Sequence, residues 1–519
     1  MSARQILSID VGTQSARALV FDAQGELLAK AQQVFAKTYE SPQPGWAEQD
    51  PEIYWRAIVD CCQTLWRGGE VKPQDIAAVT LTTQRSTVVC LDAAGRVLRP
   101  AIVWLDQRRA EHPPDLGLAW NTAFRLAGAH TLITQVQREA EANWLAENQP
   151  ELWRDTAHFL LLSGWLNWRL CGDYVDSSGS QVGYLPFDYK RLTWAGPRDF
   201  KWRALAVRRE QLPDLRAPSQ TLGALTAQAA DALGLPAGVP LIAAAADKAC
   251  EVLGSGVVDA DVAQLSFGTT ATINTTQSRY LEVQRLVPAY PAAQPNAWNT
   301  EIQIYRGFWM VSWFRREFAM HEERLATERG VAVEVLFDEL IRAVPPGAMG
   351  LTLQPYWSPG VRFPGPEAKG AIIGFGDVHT RAHLYRAILE GLIYGLRGGC
   401  EQIERKLRRP IRLLRVAGGG SQSDTAMQIT ADVFNRPAER PSIYETSGLG
   451  AAINAAVGLG WHADHATAVR AMTRVGRRFE PDPAAVKIYD ALYREVYSQM
   501  YGRLQPLYQS IRRITGYPA

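Results

Sequence analysis

An apolar run that ends in an aspartate and passes straight into glycine and hydroxyl residues can handle phosphate. Asp10-Val11-Gly12-Thr13-Gln14-Ser15 is such a segment, with Arg17 just beyond it. Backbone N–H and side-chain O–H groups that converge in a turn hold phosphate oxygens. Asp10 can serve Mg²⁺, which keeps several waters and uses few protein carboxylates. Arg17 can approach a phosphoryl group as a permanent cation. Taken alone, an ordinary hairpin with a turn aspartate reads as well. Gly268-Thr269-Thr270 repeats the turn in the second half of the chain. Two such hairpins facing across a cleft would clamp the phosphates of a nucleotide.

Three further groups bear on chemistry. Ala417-Gly418-Gly419-Gly420-Ser421 stands at a strand-to-helix junction, where missing side chains would let a flat base or ribose lie on the backbone. The bland alternative is a tight turn. Asp247 follows the small-residue strand Leu241 to Ala246. There it can take a proton from an attacking hydroxyl, worth about 10²–10⁴ in rate. It also suits the cap of the helix that begins beyond it, and one residue could do both. Gln84-Arg85-Ser86-Thr87, followed by Trp104, Asp106, Gln107 and Arg108, offers polar groups beside an aromatic wall. That combination fits a ligand with several hydroxyls, or simply a solvated loop edge. His158, His379 and His383 lack the spacing of a metal site. Neither G-x-G-x-x-G nor the Walker motif G-x-x-x-x-G-K-[ST] occurs, which disfavours P-loop and dinucleotide enzymes.

The elements that must position these groups read as α/β. Residues 4–10, 16–22 and 27–35 form an antiparallel meander with turn residues between them. A helix follows, capped by Asp50 with Pro51 in its first position, and its inner face carries Ile53, Ala57, Ile58, Cys61 and Leu65. Strands come next at 76–82 and 88–91. The antiparallel start argues against a Rossmann half. The pattern recurs with strands at 262–267 and 271–275, a long amphipathic helix near 381–407, a strand at 412–417 and a helix from about Asp424. The expected division is 1–256 for phosphate and substrate, and 257–519 for adenosine.

Composition sets the broad class. The chain has 519 residues, 47% hydrophobic and 21% charged, with a net charge of +2. At about 100–200 residues per domain this is a multidomain globular chain that needs no staple. The near-neutral balance, without a block of like charges, gives no footprint for nucleic acid or an anionic membrane. The six cysteines show no C-x-x-C and no zinc spacing, which suits reduced thiols. No signal-like leader and no apolar run of about 20 residues occurs, so a cytoplasmic protein is expected.

Together these segments resemble the FGGY family of carbohydrate kinases, which includes glycerol kinase and xylulokinase. Residues 6–22 are similar to its first phosphate motif. Residues 41–51 and 83–104 are similar to glycerol kinase. Residues 370–375, seven residues before 383–390, nearly fit the C-terminal signature, with Phe375 in place of a smaller aliphatic. Residues 415–432 are similar to the adenosine motif. The resemblance implies an actin-like ATPase fold of two ribonuclease-H-like domains, with ATP and substrate in the cleft. It implies nucleotide contacts from Thr13, Gln14, Ser15, Arg17, Gly268, Thr269, Gly307, Gly418, Gly419 and Ser423. It gives Asp10 to Mg²⁺, Asp247 to proton abstraction, and Gln84, Arg85, Trp104 and Asp106 to the substrate.

Departures from the family mark the acceptor. Ser86 replaces the glutamate of glycerol kinase, and Ala244-Ala245-Ala246 replaces a glycine-rich run. Val136 falls near the position of a substrate tyrosine, and Gly164 stands where an aspartate is usual. Lys248 replaces glutamine or asparagine; it either binds an anionic substrate such as a sugar acid or points to solvent. The expected activity is ATP-dependent phosphorylation of a sugar or polyol, a ketopentose such as xylulose ahead of glycerol. The rival is an actin-like nucleotide-binding protein with little kinase activity. A homodimer stays open, since no interface patch is legible.

Overall fold

The computed structural model describes residues 5–360 and 364–517. The expected loop from Gln354 to Gly370 falls partly outside them, at residues 361–363. The chain forms two compact units. One holds the chain up to Val258 with Gln277–Asn299 and Glu445–Thr473; the other holds Asp259–Thr276, Thr300–Tyr444 and the stretch from Arg474. A single cut near residue 256 would miss that two later segments fold with the first unit.

The first unit is built on a six-stranded sheet. The hairpin strands Gln5–Val11 and Ser15–Asp22 pair antiparallel, and Leu27–Val34 extends them. On the other side Ile76–Thr83 and then Pro240–Ala243 add in parallel, and Thr221–Ala224 closes the edge antiparallel. Every residue of Gln5–Val11 is buried. A strand apolar on both faces needs cover on both, and two helices supply it. Pro51–Gly68 packs on the hairpin side through Tyr54, Ile58, Cys61 and Leu65. Its start follows the cap, since Asp50 accepts from the Glu52 N–H. Ile53 is only half-buried, whereas Tyr54 and Cys62 lie inside. Thr446–Gly458 covers the opposite face, where Ser8 Oγ donates to the Gly448 carbonyl at 2.8 Å.

The second unit repeats the scheme. Val262–Phe267 and Ala271–Gln277 form the hairpin, and Trp298–Ile304 extends it. Leu413–Ala417 and Ala438–Pro441 add in parallel, and Val475–Phe479 closes the edge antiparallel. The 27-residue helix Arg381–Leu407 is its longest element, with Tyr385, Ile388, Leu392 and Leu396 buried. All six cysteines are free and buried. No helix among the described residues is long and apolar enough to cross a membrane.

Candidate active site

In the first unit the sequence-predicted residues gather at the carboxyl ends of neighbouring parallel strands. Asp10 stands opposite Thr82 in the parallel pairing, and opposite Arg17 across the hairpin. Arg17 Nη1 donates to Asp10 Oδ2 at 3.1 Å, and its Nε lies 3.5 Å from Glu445. This guanidinium is therefore held between two carboxylates rather than standing clear for a phosphoryl group. Burial pushes the Asp10 carboxyl up to about 6, against the pull of Arg17 and with added repulsion from Asp247 and Glu445. The turn closes when the Gly12 N–H donates to the Ser15 carbonyl at 3.0 Å, so that donor is spent. Thr13 is half-buried, Gln14 exposed and Ser15 buried, with Ser15 Oγ accepting from Gln32 Nε2 at 3.1 Å.

Asp247 is the first residue of the helix Asp247–Gly254, and Ala246 occupies the cap position without a side-chain bond. The capping alternative is thereby excluded. Asp247 Oδ1 instead accepts from the Lys248 N–H at 2.7 Å. Burial raises its pKa, while the charges of Lys248 and Arg85 oppose the rise. Lys248 neither points to solvent nor stands alone: its Nζ lies 2.7 Å from Glu251 Oε2, and Glu251 is buried. That partner, three residues along the same helix, escaped the sequence reading; the i, i+3 spacing was the available signal. The alanine run serves packing, not ligand approach. A Cβ on Gly179 would meet Ala245 Cβ at 2.7 Å, and Ser177 Oγ donates to the Ala244 carbonyl at 2.5 Å.

The wall beside this carboxylate is mixed. Thr13 Oγ1 donates to Gln84 Oε1 at 2.9 Å and accepts from Trp104 Nε1 at 2.9 Å. Arg85 lies over the Tyr290 ring, 5.4 Å from its centroid, and Tyr189 packs on Tyr290. No spacing in the sequence pointed to these tyrosines, which come from distant segments. Ser86 turns its hydroxyl to the Val182 carbonyl at 3.0 Å. Asp106, expected at the substrate, is engaged as a buried anchor. It accepts from the Ala47 N–H at 2.6 Å and holds Arg108 through Nε and Nη2 at 2.7 and 2.6 Å.

The second unit joins two more of the expected groups. Ser266 pairs with Ala417, so the Gly268–Thr270 and Gly418–Gly420 turns leave adjacent strands. Gly307 backs the first turn, its N–H donating to the Thr269 carbonyl at 3.0 Å, and any side chain there would run into Ala271. Gly418 has φ +86° and lies against the Phe267 backbone, while nothing stands within 4 Å of a Cβ on Gly419. The open backbone of Gly419 is what a flat ligand requires. Ser423 caps the helix Asp424–Phe434 by accepting from the Ala426 N–H, and it donates to Asp338 Oδ1 at 2.5 Å. Both functions of its hydroxyl are engaged in these two bonds.

The N-terminal domain pattern of the FGGY family of carbohydrate kinases matches residues 5–254, and its C-terminal domain pattern matches residues 263–459. A glycerol kinase of Dechloromonas aromatica is 30% identical over 92% of this chain and 93% of its own length. The chain belongs to the FGGY family of carbohydrate kinases. An uncharacterized sugar kinase of Escherichia coli, YgcE, is 29% identical over 96% of this chain and 94% of its own. The ligand-bound xylulose kinase of Lactobacillus acidophilus superposes with a TM-score of 0.81, at 20% identity, over 98% of this chain and 99% of that one. The fold is thus the actin-like ATPase fold of these FGGY kinases, and the protein is a carbohydrate kinase, a phosphotransferase.

FGGY kinases use ATP, and the first unit would suit a divalent cation that accompanied it. Asp10 is a buried carboxylate whose proton affinity is raised further by the charge of Asp247, a repulsion that a bound cation would relieve. Among the described residues no group of three or more histidines, cysteines or carboxylates could hold a metal ion. Asp10 with water and phosphate oxygens is the donor set that magnesium favours.

Proposed function

We propose that the protein transfers the γ-phosphoryl group of ATP to a hydroxyl of a sugar, a ketopentose such as xylulose in preference to glycerol. The observation that carries the reading is the half-buried Asp247, within electrostatic reach of Arg85 in the unit that also bears the Asp10–Ser15 turn. Its raised pKa makes Asp247 a stronger base than a solvated aspartate, and the charges of Lys248 and Arg85 oppose the rise. Asp247 accepts the proton of the acceptor hydroxyl. That oxygen bonds to the γ-phosphorus, the bond from phosphorus to the β–γ bridging oxygen breaks, and ADP leaves with the electron pair. In the first unit Thr13 and the backbone of its turn suit phosphate oxygens; in the second, Thr269 and the glycine turn at Gly418 and Gly419 have groups that suit a nucleotide. Asp10 would hold Mg²⁺ with the nucleotide, and the ion would supply charge neutralisation of the phosphate oxygens.

Two features favour a ketose. Ser86 offers no carboxylate where glycerol kinase has one, and its hydroxyl is turned to Val182. The Lys248 ammonium is matched by Glu251, so it does not call for an anionic sugar acid. The experiment is ADP release with MgATP across ketoses, aldoses, polyols including glycerol, and sugar acids, beside Asp247→Asn. A ketopentose hit that drops at least about 100-fold in the variant supports the reading. Preference for glycerol or a sugar acid overturns the acceptor, and no acceptor above the sugar-free rate overturns the proposal.

A further inference from the structure

Thr13 has one hydroxyl proton, and it is already committed. It goes to Gln84 Oε1 at 2.9 Å, while a lone pair of the same oxygen takes the Trp104 indole N–H at 2.9 Å. Gln84 is firmly placed. Its Nε2 donates to Tyr54 OH at 3.2 Å, its backbone N–H donates to the Val11 carbonyl at 2.9 Å, and the residue is 4% exposed. Trp104 is 40% exposed and presents its ring outward. The hydroxyl in the phosphate turn is thus held by two side chains of the neighbouring wall. The Gly12 N–H of the same turn is also spent, on Ser15. As it stands, the turn is short of donors for a phosphate.

We propose that Gln84 withholds the Thr13 hydroxyl proton from the nucleotide until a hydroxyl of the acceptor sugar donates to Gln84 Oε1 in its place, with Trp104 Nε1 keeping the Thr13 oxygen in position. The identity of that acceptor rests on the kinase reading above. A sugar hydroxyl that donates to Gln84 Oε1 releases the Thr13 proton to a phosphate oxygen. The new bond is to an anion and is stronger than the one it replaces. Without sugar, the nucleotide can recruit Thr13 only by leaving the buried Gln84 oxygen unsatisfied, which costs about one order of magnitude in affinity. Sugar and nucleotide therefore tighten each other's binding, reciprocally. Gln84 and Trp104 are positioning residues in this scheme, acting through Thr13.

The test needs no sugar. The Kd of a magnesium complex of a non-hydrolysable ATP analogue is measured by calorimetry for the full chain, Gln84→Leu, and Gln84→Leu/Thr13→Val. Removing the acceptor of the Thr13 proton is expected to tighten binding roughly three- to tenfold. The double variant is expected to lose that gain, and sugar-free MgATP hydrolysis should rise in the single variant only. Equal or weaker analogue binding by a folded Gln84→Leu, or a gain that survives loss of the Thr13 hydroxyl, overturns the proposal. Should Gln84→Leu fail to fold, Gln84→Met keeps the length of the side chain and carries the same expectations. A panel in which no sugar is phosphorylated would overturn the acceptor assignment and leave this measurement readable.

Discussion

The ammonium of Lys248 lies 2.7 Å from the carboxylate of Glu251, three residues further along the helix that begins at Asp247. The pair brings two opposite charges to bear on one base. Lys248 lowers the Asp247 pKa and Glu251 raises it. Lys248→Gln should therefore move the acid limb of the kcat/KM profile to higher pH, and Glu251→Gln should move it to lower pH. Limbs that stay in place in both variants would remove the pair from the chemistry. Loss of either partner should also lower stability, by about 3 kcal/mol for a largely buried pair.

Asp10 is held ionised at a cost. Its folded pKa of about 6 lies above the ordinary value of 3.8. A carboxyl with a raised folded pKa binds its proton more tightly in the folded state. The penalty is absent below pH 3.8, grows through the interval and is complete above about pH 6. Asp10→Asn should stabilise the ligand-free protein at pH 8 by up to about 3 kcal/mol, read as a higher Tm, and the gain should vanish near pH 4. Kinase activity should fall at the same time. A variant less stable than the parent at pH 8 would contradict the cost.

The helix bearing Asp247 is seated through glycines. A Cβ on Gly450 would run into the Cys250 carbonyl oxygen, and one on Gly254 into that of Thr446. Both obstacles are backbone, so neither can swing aside. Gly450→Ala should push the two helices apart and cost about 2–3 kcal/mol by overpacking. It should lower kcat as well, because Asp247 moves with its helix. Thermal unfolding and steady-state kinetics check this, and an unchanged Tm would show that the contact can relax.

Asp106 separates an anchor from a ligand. Its carboxylate holds Arg108, whose side chain is 2% exposed and stacked on Trp46 at 4.0 Å from the ring centroid. Asp106→Asn should lower stability by about 3 kcal/mol. At temperatures where it is folded, its KM for the sugar should stay within about twofold. A large rise in KM without loss of Tm would return Asp106 to the substrate.

How much was legible depended on how local the physics is. The meander at Gln5–Val11, Ser15–Asp22 and Leu27–Val34, the Asp50–Pro51 helix start, and the second hairpin were readable, because period and turn chemistry act between near neighbours. The Asp10 turn, Gln84-Arg85 and Asp247 stood out as residue types at strand ends, and the parallel pairing of those strands brings them together. Glu251 was within reach as an i, i+3 partner. Tyr290 and Tyr189, about a hundred residues apart, were not, since only packing joins them beneath Arg85.

By itself the sequence determined the α/β class, the duplicated hairpin and the family to which the chain belongs, all of which rest on short-range order and motif spacing. Tertiary structure alone decided that residues 277–299 and 445–473 join the first unit. It decided that Asp106 and Ser423 are anchors, and that the Thr13 hydroxyl is shared with Gln84 and Trp104. Each of those outcomes turns on which donor reaches which acceptor. A hydrogen bond is settled within a few tenths of an ångström, between groups that spacing along the chain does not bring together.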